Sequence, residues 1–219
     1  MNKLLSPLVA ALVTSVTILP AFAQEIKGDA KAGERKAAMC IGCHGIPGYQ
    51  ASFPEIYRVP KIGGQGAKYI QSALSAYQKG DRKHPTMRGI AASLNDQDMA
   101  DLAAFYEAQG EGGAGPGKAP EAPGKVAELV KKGACNSCHG ESFSKPIDPA
   151  YPKIAGQHAD YLFVALKSYK AEGTSTWGRS NGVMGGVAKQ FSNAELKQLA
   201  AYVAGLPGEL KTVPQAKFK

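Results

Sequence analysis

No stretch of this sequence alternates apolar and polar residues for long enough to build a β-sheet, which leaves helices and loops as the working material. The expected class is all-α. Charge is also scarce, with Asp, Glu, Lys and Arg making up 20% of 219 residues against 44% hydrophobic. A chain of that balance can fill a core, so it is neither a disordered tail nor a polytopic membrane protein. Its one strongly apolar run, Leu4 to Leu19, is 16 residues long and interrupted by Ser6, Pro7, Thr14, Ser15 and Thr17. That falls short of the ~20 residues a spanning helix needs. Only four cysteines and four histidines are present, and their spacing says more than any bulk property.

The apolar run follows a short basic segment, Met1-Asn2-Lys3, and ends in Ala21-Phe22-Ala23, a small-residue cleavage site before Gln24. This is the pattern of a secretory signal peptide, residues 1–23, removed on export. The mature chain is then expected in the periplasm, where disulfides can form, so cysteine pairs there need an explanation.

The remainder is written twice. Cys40-Ile41-Gly42-Cys43-His44 recurs as Cys135-Asn136-Ser137-Cys138-His139, at an offset of 95. Pro60-Lys61-Ile62-Gly63-Gly64-Gln65 recurs as Pro152-Lys153-Ile154-Ala155-Gly156-Gln157 at 92, and Tyr69 and Tyr77 follow in register with Tyr161 and Tyr169. Met87 recurs as Met184 at 97. The changing offsets place three extra residues in the first half, around Tyr57-Arg58, and five in the second, between Tyr169 and Met184 and including Trp177. Between the halves, residues 111–124 hold five Gly, three Pro and three Ala, a linker that cannot fill a core. Two domains result, 24–110 and 125–219.

Within each half the spacing predicts helices. Asp29 caps one running to about Met39. A second covers about Ala67 to Lys79, stops at Gly80 and carries Tyr69, Ile70, Ala73, Leu74 and Tyr77 on one face, with a counterpart around Tyr161. The last helix of each half starts from a capping pair, Asn95 with Asp98 and Ser192 with Glu195.

Cys-x-x-Cys-His is the attachment sequence of c-type haem, in which two thiols bond the porphyrin edge and the adjacent histidine reaches the iron. Zinc would call for a second cysteine pair ~15–20 residues away, and a redox dithiol for a βαβ setting, and neither is present. Two tight disulfides would be strained. Cys40, Cys43, Cys135 and Cys138 are therefore expected to hold two haems, with His44 and His139 as axial ligands. Met87 and Met184, the only repeated methionines, each lie in a short loop 43 to 45 residues after their histidine. A thioether opposite histidine marks electron-transfer cytochromes, and these two are expected on the far side of each iron. Met39 and Met99 read as core. His84 and His158 are rival ligands, but neither recurs, and they read as surface or propionate-side residues. Pro60 and Pro152 are candidates to accept a hydrogen bond from the axial histidines. Gly64-Gln65 and Gly156-Gln157 are expected to bring backbone close to the porphyrin, and Tyr69 and Tyr161 either reach propionates or pack helices.

On these motifs, from about Gly28 to Leu206, the chain resembles the cytochrome c4 family of dihaem periplasmic cytochromes. The resemblance implies two class I cytochrome domains related by a pseudo-twofold, with propionate edges facing each other. It also implies electron donation to a terminal oxidase or similar acceptor, with a cytochrome bc-type complex as donor. With His and Met on both irons no small-molecule substrate binds, so the expectation is an electron carrier and not an enzyme. A dihaem peroxidase would need an iron that opens. The alternative is a cytochrome subunit of a periplasmic dehydrogenase oxidising sulfide or an alcohol.

The formal net charge of +8 could suggest nucleic acid, but export excludes that partner; peripheral contact with an anionic membrane surface remains compatible. The charge is uneven. Residues 24–111 hold 11 basic and 10 acidic side chains, and residues 112–219 hold 14 and 8.

Overall fold

The computed structural model describes residues 26–110, 118–171 and 175–214; the segment expected to be a signal peptide and most of the glycine-rich part of the linker lie outside the described residues. Helix α1 (Ala30–Lys36) begins at Asp29, whose carboxylate accepts from the N–H groups of Lys31 and Ala32. The helix expected to run on to Met39 instead breaks at Ala37, and a separate α2 (Ala38–His44) carries the first cysteine-histidine motif. Strands β1 (Gln50–Ala51) and β2 (Tyr57–Arg58) form a small hairpin. Helix α3 (Ala67–Lys79) ends as expected at Gly80, where φ is +85° and a side chain would be strained. Then come β3 (Arg82–Lys83), α4 (Pro85–Ala92) and α5 (Asp96–Glu107). Asn95 and Asp98 form a complete capping box on α5, as reciprocal as the Ser192–Glu195 one.

The second half repeats the order with α6 (Gly124–Lys132), α7 (Cys135–His139), α8 (Ala159–Ser168), β4 (Gly178–Arg179), α9 (Gly182–Lys189) and α10 (Asn193–Gly205). The class is all-α, with two-residue strands among the described residues. Each half has its own core. In the first, Ala37, Ile41, Ile70, Leu102, Ala103 and Tyr106 pack together. In the second, Phe143, Ala155, Leu162, Ala200, Val203 and Leu206 do so, beside a second cluster of Leu129, Phe191, Leu196 and Leu199. Met99 is buried as expected, whereas Met39 is 53% exposed. It lies one turn before Cys43 on α2, on the wall of the cavity between the halves and not in the core that Ile41 enters.

Helix α1 lies against α5 because Gly33 has no side chain: a Cβ there would collide with the carbonyl of Asp101. Asp101 is itself buried and gathers donors from both helices. It accepts from the Asp29 N–H at 2.9 Å, from Gln97 Nε2 at 2.8 Å and from Lys36 Nζ at 2.6 Å.

The halves join through many polar contacts, several of them made by the extra residues. β3 pairs with β4 in antiparallel register, Arg82 opposite Arg179, so a strand pair lies across the domain boundary. Arg58, in the three-residue insertion, donates from its backbone N–H and Nε to Asp160 of α8, at 3.1 and 2.9 Å. Lys167 reaches back to Glu55. After α10 the chain returns to the first half, where Gly63 and Lys211 exchange backbone hydrogen bonds.

Burial disfavours the Asp101 carboxylate, but the hydrogen bonds from Lys36, Asp29 and Gln97 outweigh it and bring its pKa from the ordinary 3.8 to about 2. A carboxyl depressed on folding stabilises the fold above its unfolded value, and that contribution is lost as pH falls towards its folded value. Asp101→Asn should therefore cost roughly 1–3 kcal/mol at neutral pH. Urea unfolding at several pH values should show the gap to the parent closing between about pH 4 and pH 2. A gap independent of pH would show that Asp101 acts by shape alone.

Candidate functional site

Cys40, Cys43 and His44 fall at i, i+3 and i+4 of α2, and Cys135, Cys138 and His139 do the same in α7, so each set lies on one helix face. All four cysteines are free thiols. Burial pushes the Cys40 and Cys135 thiols above their ordinary pKa. No three or more His, Cys, Asp or Glu side chains among the described residues are arranged to hold a metal ion by themselves, so the two motifs do not pool into a zinc-type site.

His44 Nδ1 lies 2.8 Å from the Pro60 carbonyl and His139 Nδ1 lies 3.0 Å from the Pro152 carbonyl. A carbonyl can only accept, so Nδ1 carries the proton in both rings and Nε2 is the nitrogen with a lone pair. Burial lowers both imidazoles below the usual histidine value, against the raising effect of those carbonyls, and keeps them neutral. A neutral imidazole with a free Nε2 is the form that a metal takes.

These groups line one cavity of about 610 Å³ that runs between the two halves. Its walls are mostly apolar, with Ile70, Leu74 and Leu102 from the first half and Leu162, Leu166 and Leu199 from the second. Met87 and Met184 line the same space. They are not in loops, as the sequence suggested: each is the third residue of a short helix, α4 or α9, whose first turn is capped by His84 or Asn181. The Met87 N–H donates to His84 Nδ1, and the Met184 N–H to Asn181 Oδ1 at 2.9 Å. His84 Nε2 contacts the Tyr57 hydroxyl at 2.9 Å. Both nitrogens of His84 are thus engaged and it offers nothing to a metal, while His158, at the start of α8, is not part of the cavity wall.

The most unusual feature of the cavity is its positive charge. Arg82 and Arg179, opposed across the β3–β4 pair, lie over the rings of four tyrosines, Tyr69, Tyr77, Tyr161 and Tyr169. Arg82 donates to Tyr69 Oη at 3.1 Å and Tyr161 Oη at 3.5 Å, and Arg179 to Tyr161 Oη at 3.0 Å and Tyr169 Oη at 3.5 Å. Against its own desolvation, the Tyr161 phenol is pulled below the usual tyrosine value by these two guanidiniums. No carboxylate among the described residues pairs with either arginine, and Arg82 Nε is buried with no partner. Buried charges of one sign call for an anion. A haem brings two carboxylates, so thiols, neutral imidazoles, an apolar cavity and unpaired guanidiniums together fit two such groups with propionates at the boundary. The two tyrosines expected near propionates are placed by the arginines. Arg82 and Arg179 were not singled out from the sequence, yet the signal was there: each stands five residues before its methionine, at the same offset of 97.

Gln65 and Gln157 line the cavity, but the glycines expected to bring backbone close to the porphyrin do not: Gly64 packs against Glu209 and Gly110, and Gly156 against Leu206 and Gly208. The glutamine side chains cross the domain boundary. Gln65 binds both backbone groups of Lys153, and Gln157 both of Lys61.

The profile of the cytochrome c family matches the chain twice, over residues 30–108 and 124–207. Cytochrome c4 of Pseudomonas aeruginosa is 35% identical over 213 residues, covering 94% of this chain and all of that protein. A thiosulfate dehydrogenase electron acceptor of Stutzerimonas stutzeri is 32% identical, covering 90% of this chain and 92% of that one. The crystal structure of reduced recombinant cytochrome c4 from Pseudomonas stutzeri is similar with a TM-score of 0.62 at 30% identity, over 82% of this chain and 99% of the other.

The bridging position of Arg82, bonded to a tyrosine from each half, predicts a shared effect. With haem bound, Arg82→Leu should lower the midpoint potentials of both centres, each by roughly 1 kcal/mol, because a nearby positive charge favours the extra electron. A titration in which only one centre moves, or neither, would place the guanidinium away from the propionates.

Proposed function

Since the chain belongs to the cytochrome c4 family of dihaem cytochromes, we propose that it is a periplasmic electron carrier in which both irons are closed by a histidine and a methionine. Two haem c groups are bound covalently, one to Cys40 and Cys43 and one to Cys135 and Cys138. When bound, each supplies a one-electron ferric–ferrous couple. The protein's part is to hold His44 with Met87 and His139 with Met184 as the axial pairs. The Pro60 and Pro152 carbonyls orient the histidines, and the capped first turns of α4 and α9 hold the methionines. A closed iron admits no peroxide or other substrate, so electrons are what these residues allow to pass. The observation that carries this reading is that both halves, and not one alone, bring an anchored histidine and a helix-held methionine to the cavity.

Export through the leader, residues 1–23, places the carrier in the periplasm in this reading, and no helix among the described residues is long and apolar enough to cross a membrane. A terminal oxidase is the acceptor we favour, and a cytochrome bc-type complex the donor. A second reading, service to a periplasmic dehydrogenase, is favoured by the similarity to the thiosulfate dehydrogenase electron acceptor. A free carrier purifies alone, and a dedicated subunit with its dehydrogenase. The charge asymmetry is a weak guide to docking, because several second-half lysines are committed internally. Lys167 pairs with Glu55, Lys170 donates to the Phe191 carbonyl and Lys132 to that of Gln190.

Met87→Ala and Met184→Ala should each open one iron. The affected haem should lose its methionine-to-ferric charge-transfer band, drop in potential and bind carbon monoxide when reduced, while the other keeps its spectrum. Met99→Ala, in the core, should cost stability, about 2–5 kcal/mol, and leave both spectra intact. Retention of both charge-transfer bands in Met87→Ala would refute the assignment.

A further inference from the structure

The peptide unit between Pro60 and Lys61 is used from both ends. Its carbonyl oxygen accepts from His44 Nδ1 at 2.8 Å, and its N–H, on Lys61, donates to Gln157 Oε1 of the other half at 2.9 Å. The unit between Pro152 and Lys153 repeats this. Its carbonyl accepts from His139 Nδ1 at 3.0 Å and its N–H donates to Gln65 Oε1 at 3.0 Å. Each glutamine closes a second bond with its amide nitrogen, Gln157 Nε2 to the Lys61 carbonyl at 2.8 Å and Gln65 Nε2 to the Lys153 carbonyl at 2.9 Å. Both side chains are buried, 4% exposed at Gln65 and 5% at Gln157. Proline fixes φ on the other side of each carbonyl and has no N–H of its own, so the Lys61 and Lys153 N–H groups are where a partner can act on these two peptide units.

An amide is a conjugated group, and a hydrogen bond donated from its nitrogen makes its oxygen a better acceptor. A stronger acceptor draws harder on the Nδ1 proton, makes the imidazole a more basic ligand and favours the ferric iron. We propose that Gln65 and Gln157 are crossed positioning residues: through the peptide unit that holds the opposite histidine, each tunes the haem of the half to which it does not belong. This rests on the reading of His44 and His139 as axial ligands. It gives the reciprocal glutamine pair a consequence beyond docking, since an opening of the boundary that parts both glutamines from their lysine backbones weakens both histidine contacts together and raises both potentials.

The test uses the full-length exported protein with both haems attached. In Gln157→Met, which keeps the volume and removes the acceptor, the potential of the first-half haem should rise and that of the second-half haem should stay. Gln65→Met should do the reverse. NMR of the reduced protein should show the Nδ1 proton of the opposite histidine moving upfield, the sign of a weaker hydrogen bond. Gln157→Glu keeps an acceptor on the Lys61 N–H and should not show the rise. Asp160→Asn loosens the boundary at Arg58 without touching either peptide unit, and should spare the Nδ1 signals. Two closed haems whose response falls in the mutated half, or equally in both for each single variant, would overturn the crossed tuning and leave the two-haem reading standing. A parent in which one reduced haem binds carbon monoxide would overturn the reading of the ligands as well.

Discussion

The hydrogen bond from a histidine Nδ1 to a proline carbonyl, made once in each half, is the constraint on which the rest of the structure depends. It fixes which nitrogen faces the cavity, while burial keeps the ring neutral against the raising effect of that carbonyl. The carbonyl must be held in turn, and the means is local and tertiary at once. Proline sets φ on one side, while on the other the lysine N–H is taken by a glutamine from the neighbouring half. The two domains are thus joined through the groups that orient the histidines proposed as ligands, and a boundary that looks like ordinary docking becomes part of each proposed site.

A second consequence is electrostatic. Placing the sites against the boundary brings Arg82 and Arg179 to opposite sides of one strand pair, two guanidiniums with tyrosine hydroxyls around them and no paired carboxylate among the described residues. Buried arginines without an anion are costly, and propionates are the anions that the proposed cofactors carry to this place. The extra residues that distinguish the halves serve the same boundary. Arg58 of the first insertion reaches Asp160, and the segment lengthened in the second delivers Gly178 and Arg179 to pair with β3. Insertions that look like loop variation in one dimension are joints in three.

Much of this is legible in the sequence itself. The repeat located both halves, Gly80 the end of α3, Asn95 and Ser192 the starts of the last helices, and the cysteine-histidine motifs two parts of the cavity wall. What escaped was of two kinds. Short-range backbone choices were missed because they follow packing: the break at Ala37 that separates α1 from α2, and the helical turn that holds Met87, which needs His84 as a cap and not as a ligand. Contacts across the pseudo-twofold were missed because repeat matching pairs each residue with its equivalent, whereas Gln65 binds Lys153 and Gln157 binds Lys61. A glutamine and a lysine four residues apart in each copy carry no sign, in one dimension, that they will exchange partners.

The central claim, two covalently held haems each closed by histidine and methionine, is tested most directly on the exported protein itself. Its mass gives the number of haems attached, and its reduced spectrum under carbon monoxide gives the number of irons that open. The structure predicts a mass equal to the mature chain plus two haems that resist acid extraction, and a reduced spectrum unchanged by the gas. A single attached haem, or carbon monoxide bound at one full equivalent per chain, would contradict it.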